Sequence, residues 1–463
     1  MSSGPVFSDS GVRKIRALLV IARRNNENLE MISEIKMKEM IDDLRRLVRF
    51  ASVSERTESK ETPFGRETAA VLDEALTICR NYGLRTKNCE NMTGYAEIGQ
   101  GEDLIGILVH LDVVPAGEGW ISPPFELREK EGRLYGRGVT DDKGPAVAVI
   151  HALKELIEES VDFNKRVRLI FGLAEETGDW EDMEYYKATE EPVSFGFTPD
   201  AVFPAIYAEM GIANVRFSFD KSKTCFEKIS GGNAVNMVPD KCEATFRDRG
   251  GTLHNYSQPG KSAHGSTPWD GQNAISMIMG HFKDREDCLF SSFFRDCIKM
   301  ECNGKSLGGY AADEESGEIT YNFGLVHTEE SKIMLTADVR YPVTFKIEDI
   351  IKGIKERLAS LGYENVEIEL LSDVPFVFMD ADGPVITKLL EAYREHTKDM
   401  RPPPAVIGGG TYARAMDGIV AFGPMLPGRE LTEHQANEYI LTEDLILAKE
   451  IYKTAIRKLT VES

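Results

Sequence analysis

Two histidines of this chain stand among carboxylates in an order that could do chemistry. His110-Leu111-Asp112 follows the apolar run 104–109. A neutral imidazole binds a cation through one ring nitrogen, and its other nitrogen needs a hydrogen-bond partner. An imidazole with a carboxylate two positions on therefore suits a metal ligand and its orienter, although a hydrogen-bonded loop histidine has the same pattern. Gly136 to Pro145 frames Asp141-Asp142 with glycines, which permit close backbone approach. Capping the following helix would occupy one of these aspartates but not both. Glu175-Glu176 comes just after an apolar run ending at Phe171. Adjacent glutamates repel unless something positive lies beside them; one can hold a metal while the other acts as general base. Asp200 follows the turn Thr198-Pro199, and the distant His434 follows Thr432-Glu433. His, Asp, Glu-Glu, Asp and His together offer imidazole and carboxylate ligands without thiolate. That set suits hydrolytic dinuclear zinc, cobalt or manganese chemistry.

The elements that must position these residues are legible as patterns. Met40, Ile41, Leu44, Leu47 and Val48 share one face of a helix over 35–51, and Ala69 to Tyr82 forms a second amphipathic helix. The runs 104–109 and 166–171 read as strands buried on both faces, with a helix over 146–158 between them. Strands alternating with helices predict α/β layering. After residue 212 the texture changes. Residues 215–219, 242–247 and 333–340 alternate apolar with polar and predict half-exposed antiparallel strands, with helices over 273–282 and 347–361. A helix over 386–396 follows, and Gly408-Gly409-Gly410-Thr411 is expected to open another. The expected organisation is an N-terminal helical extension, 1–30; a catalytic domain, 31–211 plus 373–463; and an α+β lid inserted at 212–372.

Composition narrows the partners. Lys+Arg number 55 and Asp+Glu 76, a net charge of −21, with no aromatic-interleaved basic patch. Such a chain repels phosphate backbones, so no nucleic-acid partner is expected. No run approaches the ~18–20 apolar residues that a membrane span requires. Seven cysteines without a CxxC pair argue against a disulfide framework. They read as small buried hydrophobes, and reduced thiols fit a cytoplasmic location.

At this point the sequence resembles the M20 metallopeptidases, and within them the PepV-like bacterial dipeptidases related to carnosinase. The resemblance runs from about residue 31 to the C-terminus. It is carried by Val109 to Pro115, Gly119-Trp120, Tyr135 to Pro145, Glu175 to Gly178, Asn236 to Asp240 and Gly260 to Gly265. Arg340-Tyr341-Pro342, Gly408 to Arg414 and His434 complete it. It implies a catalytic domain with a mixed sheet flanked by helices, interrupted by a lid domain. It implies two divalent metal ions, zinc first and manganese or cobalt as alternatives. His110, Asp141 and Asp200 would hold one ion; Asp141, Glu176 and His434 would hold the other, with Asp141 bridging and a cis peptide after it. Asp112 would orient His110, and Glu175 would be the general base. His264 would stabilise the transition state from the lid. Arg340 would grip the substrate carboxylate with help from Asn236, and Gly408, Gly409 and Gly410 would line the pocket with N–H donors at a helix N-terminus.

The expected activity is hydrolysis of dipeptides by a metal-bridged hydroxide. Anchoring both the free amine and the free carboxylate would measure substrate length. Two readings stand beside it: an aminoacylase-like deacylase of N-acyl amino acids, and a non-catalytic metal- or peptide-binding protein. The insert is long enough to replace a dimer partner's contribution, so monomer and homodimer both remain open.

Overall fold

Seven consecutive buried residues form the strand Leu104–His110. It runs parallel to Arg166–Gly172, with His110 opposite Gly172, the pairing that continuous apolar runs favour. The computed structural model describes residues 31–401 and 407–461, so the expected extension 1–30 lies outside the described residues. The chain divides into two compact units. Of the described residues, one unit comprises those up to Ser194, Glu391–Lys398 and those from Gly423 onward; the other comprises those within Phe195–Leu390 and Asp399–Phe422. The segment 212–372 falls within the second unit. Among the described residues, no helix is long and apolar enough to cross a membrane.

In the first unit the strands stand in the order Arg85–Cys89, Thr93–Ile98, Arg166–Gly172, Leu104–His110. The first two pairings are antiparallel and the third is parallel, so the sheet is mixed. A helix over 31–48 and the helices Arg66–Asn81, Lys143–Glu158 and Thr442–Val461 accompany it. Lys143–Glu158 is buried on every side from Ala146 to Leu153, as a helix enclosed by other elements must be. Pro145 sits in its first turn, where a missing N–H costs no intrahelical bond. Asp142 occupies the N-cap position but makes no capping hydrogen bond, contrary to one sequence-based reading; its carboxylate accepts the His110 N–H instead, at 3.1 Å.

The second unit is built on a seven-stranded antiparallel sheet. Its order is Leu253–Pro259, Lys241–Arg247, Phe226–Gly231, Thr320–Glu329, Lys332–Tyr341, Gly211–Asp220, Glu367–Val374. Ala213, Val215, Phe217 and Phe219 alternate into the core, as do Ile333, Leu335, Ala337 and Val339. They pack with Ile275, Phe293 and Ile354 from the helices Ala274–Gly280, Leu289–Phe293 and Ile347–Ser360. Period two puts Asp338 and Arg340 together on the face opposite Ala337 and Val339. The helix expected after Gly410 is only a 3₁₀ turn, Tyr412–Ala415. The Thr411 side chain caps it by accepting the Ala413 N–H.

Glu155 fastens two helices of the first unit. Its carboxylate accepts hydrogen bonds from Lys449 and Lys453, each at 2.7 Å. Burial opposes its charge, but the two ammonium groups prevail and hold the carboxyl down at about 2. A carboxyl lowered in the folded state contributes stability that is complete above its unfolded value of 4.5 and lost as pH falls through about 2. Glu155→Gln is expected to cost about 2–3 kcal/mol at pH 7. Urea unfolding should show the gap to the parent closing between pH 4.5 and 2.

Candidate metal centre

His110 reaches the centre at the end of its strand. Its Nδ1 lies 3.0 Å from the Asp112 main-chain carbonyl, an acceptor, so Nδ1 carries a proton. Nε2 then faces Asp141 Oδ1 at 2.8 Å. The other oxygen of the same carboxylate, Asp141 Oδ2, lies 3.1 Å from His434 Nε2. Glu176 Oε2 is also 3.1 Å from His434 Nε2. Asp141 thus presents one oxygen to each of two imidazoles. Ligand atoms of Asp141, Glu176 and His434 lie within 4.8 Å of one another, as do those of His110, Glu175 and Glu176. Donors 2.8–3.1 Å apart can share a cation held about 2.0–2.2 Å from each. The set is nitrogen and carboxylate oxygen throughout, so these residues fit a pair of divalent ions.

Electrostatics supports that fit. Burial opposes a charge on His110, but hydrogen bonds to Asp112 and Asp141 raise it well above the ordinary imidazole range. Hydrogen bonds to Asp141 and Glu176 push His434 up to about 10. Burial pushes the Glu176 carboxyl up. In the bare chain, protons on the imidazoles balance the carboxylates, and cations entering the same positions would displace those protons.

Local anchors hold these residues in place. The Asp112 carboxylate accepts the N–H groups of Glu175 at 3.3 Å and Glu176 at 3.0 Å. Its closest approach to His110 Nδ1 is longer, 3.5 Å. The side chain of Asp112 therefore fixes the glutamate pair while standing beside the imidazole, and its main-chain carbonyl makes the closer contact to Nδ1. Asp182 accepts the Leu173 and Ala174 N–H groups at 2.7 and 3.1 Å, steering the chain from strand to glutamates. Gly138 adopts φ 85°, and a Cβ on Gly144 would meet the Val139 carbonyl at 2.0 Å, so glycine is required at both. The Asp141–Asp142 peptide is cis, and His434 adopts φ 62°.

Glu438 is the anchor that sequence reasoning missed. Its buried carboxylate accepts N–H groups from Gly138 and Thr140, each at 2.9 Å, and from Asp141 at 3.3 Å. Arg137 Nη1 adds an ion pair at 2.8 Å, also buried. Burial pushes the Glu438 carboxyl up to about 7. The only sequence signal was a glutamate four residues after His434, which any solvated face would share. Glu438→Ala leaves Arg137 Nη1 and three backbone N–H groups without that acceptor. Losing one member of a buried pair costs about 3–5 kcal/mol; urea titration should show a loss of that order, and unchanged stability would contradict the anchoring role.

Asp200, His264, Asn236, Arg340 and Gly408–Gly410 belong to the second unit. His264 Nδ1 accepts the Ser266 N–H at 3.2 Å and lies 2.7 Å from Ser266 Oγ. A backbone N–H can only donate, so the ring proton of neutral His264 sits on Nε2. Burial and the nearby Arg340 charge hold its pKa down, which keeps it neutral and an N–H donor. The Asn236 carbonyl accepts the Gly265 N–H at 2.7 Å, tying that segment to the His264 loop. Arg340 gives Nε and Nη2 to Asp338 Oδ2 at 3.2 and 2.9 Å and Nη1 to the Gly408 carbonyl at 2.6 Å. Of five N–H bonds, one remains on each terminal nitrogen, the pair that a carboxylate takes in bidentate fashion. Gly408 thus meets Arg340 through its carbonyl, and the element after the glycines is a 3₁₀ turn rather than the helix that the sequence suggested. Glu209 and Arg414, a buried pair at 2.8 Å, hold the glycine loop from behind: Glu209 takes the Thr411 hydroxyl and Arg414 the Gly409 carbonyl.

Residues 106–458 match the model of peptidase family M20/M25/M40. A protein of Staphylococcus haemolyticus, provisionally named a dipeptidase, is 34% identical over 92% of this chain and 97% of its own. One of Staphylococcus epidermidis with the same provisional name is 35% identical over the same shares. Among solved structures, human carnosine dipeptidase 1 aligns over 93% of this chain and 98% of its own, with TM-score 0.58 and 15% identity. The dipeptidase Dug1p of Saccharomyces cerevisiae aligns over 91% and 96%, with TM-score 0.54 and 14% identity; likeness at these identities shows the fold alone. The chain belongs to peptidase family M20/M25/M40.

Proposed function

We infer that this hydrolase cleaves dipeptides with two divalent metal ions, zinc first among the candidates. The observation that carries the reading is Asp141, whose two carboxylate oxygens face two different imidazoles, His110 and His434. In this reading His110, Asp141 and Asp200 hold one ion, and Asp141, Glu176 and His434 hold the other. Bound ions of this kind lower the pKa of water and polarise the scissile carbonyl. Glu175, fixed through its backbone N–H by Asp112, takes the proton of the attacking water and passes it to the leaving amine. His264 donates Nε2–H to the carbonyl oxygen as charge develops there. Arg340 holds the substrate's C-terminal carboxylate with its two remaining N–H groups, and Asn236 and the loop Gly408–Gly410 line the same pocket. The relatives named as dipeptidases support this substrate class; a deacylase of N-acyl amino acids is the second reading, because it would use the same carboxylate grip.

The test is Ala-Ala hydrolysis after chelation, on adding back Zn²⁺, Mn²⁺ or Co²⁺, with Glu175→Ala alongside. A metal should restore cleavage. Glu175→Ala should lower kcat by about 10²–10⁴-fold while metal binding, followed by calorimetry, persists. Cleavage of N-acetyl amino acids but of no dipeptide would replace the reading with the deacylase.

A further inference from the structure

We propose that Cys225 and Cys288 form a peroxide-responsive dithiol, a modification site that closes to a disulfide on reaction with a hydroperoxide. The two residues are 63 positions apart, yet their sulfurs lie 2.9 Å from each other. The Cys225 backbone N–H also points at Cys288 Sγ, at 3.2 Å. Two donors from one residue therefore converge on a single sulfur, which is how a protein stabilises a thiolate. The hydrogen bond from the Cys225 thiol, helped by N–H groups of Cys225 and Ser291, outweighs burial and holds the Cys288 thiol below its ordinary range. The same bond pushes the Cys225 thiol up. The pair is thus divided into a nucleophile, Cys288, and a resolving thiol, Cys225.

Geometry favours closure. A disulfide bond is about 2.05 Å long, so the sulfurs need to approach by only about 0.9 Å. Cys225 directly precedes the strand Phe226–Gly231, and Cys288 directly precedes the helix Leu289–Phe293. These elements already pack against each other through Phe226 and Phe290, whose rings meet edge-on at 6.1 Å. Both cysteines are buried, Cys225 at 7% exposure and Cys288 at 0%. A small hydroperoxide suits such a site better than a bulky disulfide reagent.

The chemistry balances. The Cys288 thiolate attacks one oxygen of hydrogen peroxide, and the O–O bond breaks. Cys288 becomes a sulfenic acid, and the departing hydroxide takes up the proton that Cys288 had released. The Cys225 sulfur then attacks the sulfenic sulfur; the S–O bond breaks, and the hydroxyl leaves as water with the Cys225 proton. Overall two thiols lose two electrons and two protons, and one peroxide becomes two waters.

The experiment treats the full chain with submillimolar hydrogen peroxide, denatures it in iodoacetamide and maps its peptides by mass spectrometry. The expected result is loss of two alkylatable thiols and a 225–288 cross-linked peptide that dithiothreitol dissolves. Cys225→Ser should instead leave a dimedone-reactive sulfenic acid on Cys288. Seven alkylatable thiols after treatment would overturn the proposal. So would oxidation confined to Cys302, the most exposed of the seven cysteines. Because the parent chain carries the decisive reading, the result stands whether or not the variant folds.

Discussion

One carboxylate between two imidazoles sets the terms for the first unit. Asp141 can face His110 and His434 together only because three loops converge on it. Three acidic side chains used for scaffolding fix those loops. Asp112 and Asp182 hold the chain leading to Glu175 and Glu176, and Glu438 holds the chain leading to Asp141. All three are buried. Buried carboxylates are tolerated only when hydrogen-bonded, and each of these spends its lone pairs on backbone N–H groups of a site loop. The centre is thus organised by anions that do not themselves face both histidines, an arrangement that makes rigidity precede metal binding.

The second unit shows the same economy on a sheet. Asp338 and Arg340 stand two residues apart on one strand, so the pleat alone brings them together. Asp338 occupies one edge of the guanidinium and the Gly408 carbonyl another contact, leaving a single defined pair of donors. The His264 loop achieves directionality in another way: a backbone N–H on Nδ1 fixes the proton on Nε2. One device uses a buried ion pair and the other a backbone N–H, and both hold their donors in a fixed direction before a ligand arrives.

The sequence made the chemistry-bearing residues visible because their types are rare and their order is specific. His110, Asp141, Glu176 and His434 come together as their resemblance implied. The strands Leu104–His110 and Arg166–Gly172 were legible because continuous burial leaves an unbroken apolar run. The exposed strands were not. Leu253–Pro259 and Glu367–Val374 are exposed along much of their length, so their composition carries no burial signal and only pairing makes them strands. Asp182 and Glu438 were invisible because an acidic residue that caps backbone N–H groups looks like any solvated one. Asp112 was assigned to His110; its carboxylate stands beside that imidazole and also holds the glutamate loop, a second task that only tertiary geometry reveals. The closeness of Cys225 and Cys288 likewise arises from packing across 63 residues.

The central claim is that this cluster is built for two cations sharing Asp141. Anomalous diffraction at the zinc edge, from crystals of the full chain grown with Zn²⁺, tests it directly. The expected map has two peaks, one contacting Asp141 Oδ1 and His110 Nε2, the other contacting Asp141 Oδ2, His434 Nε2 and Glu176. A single peak, or imidazoles still hydrogen-bonded to Asp141 with no metal between them, would contradict the account.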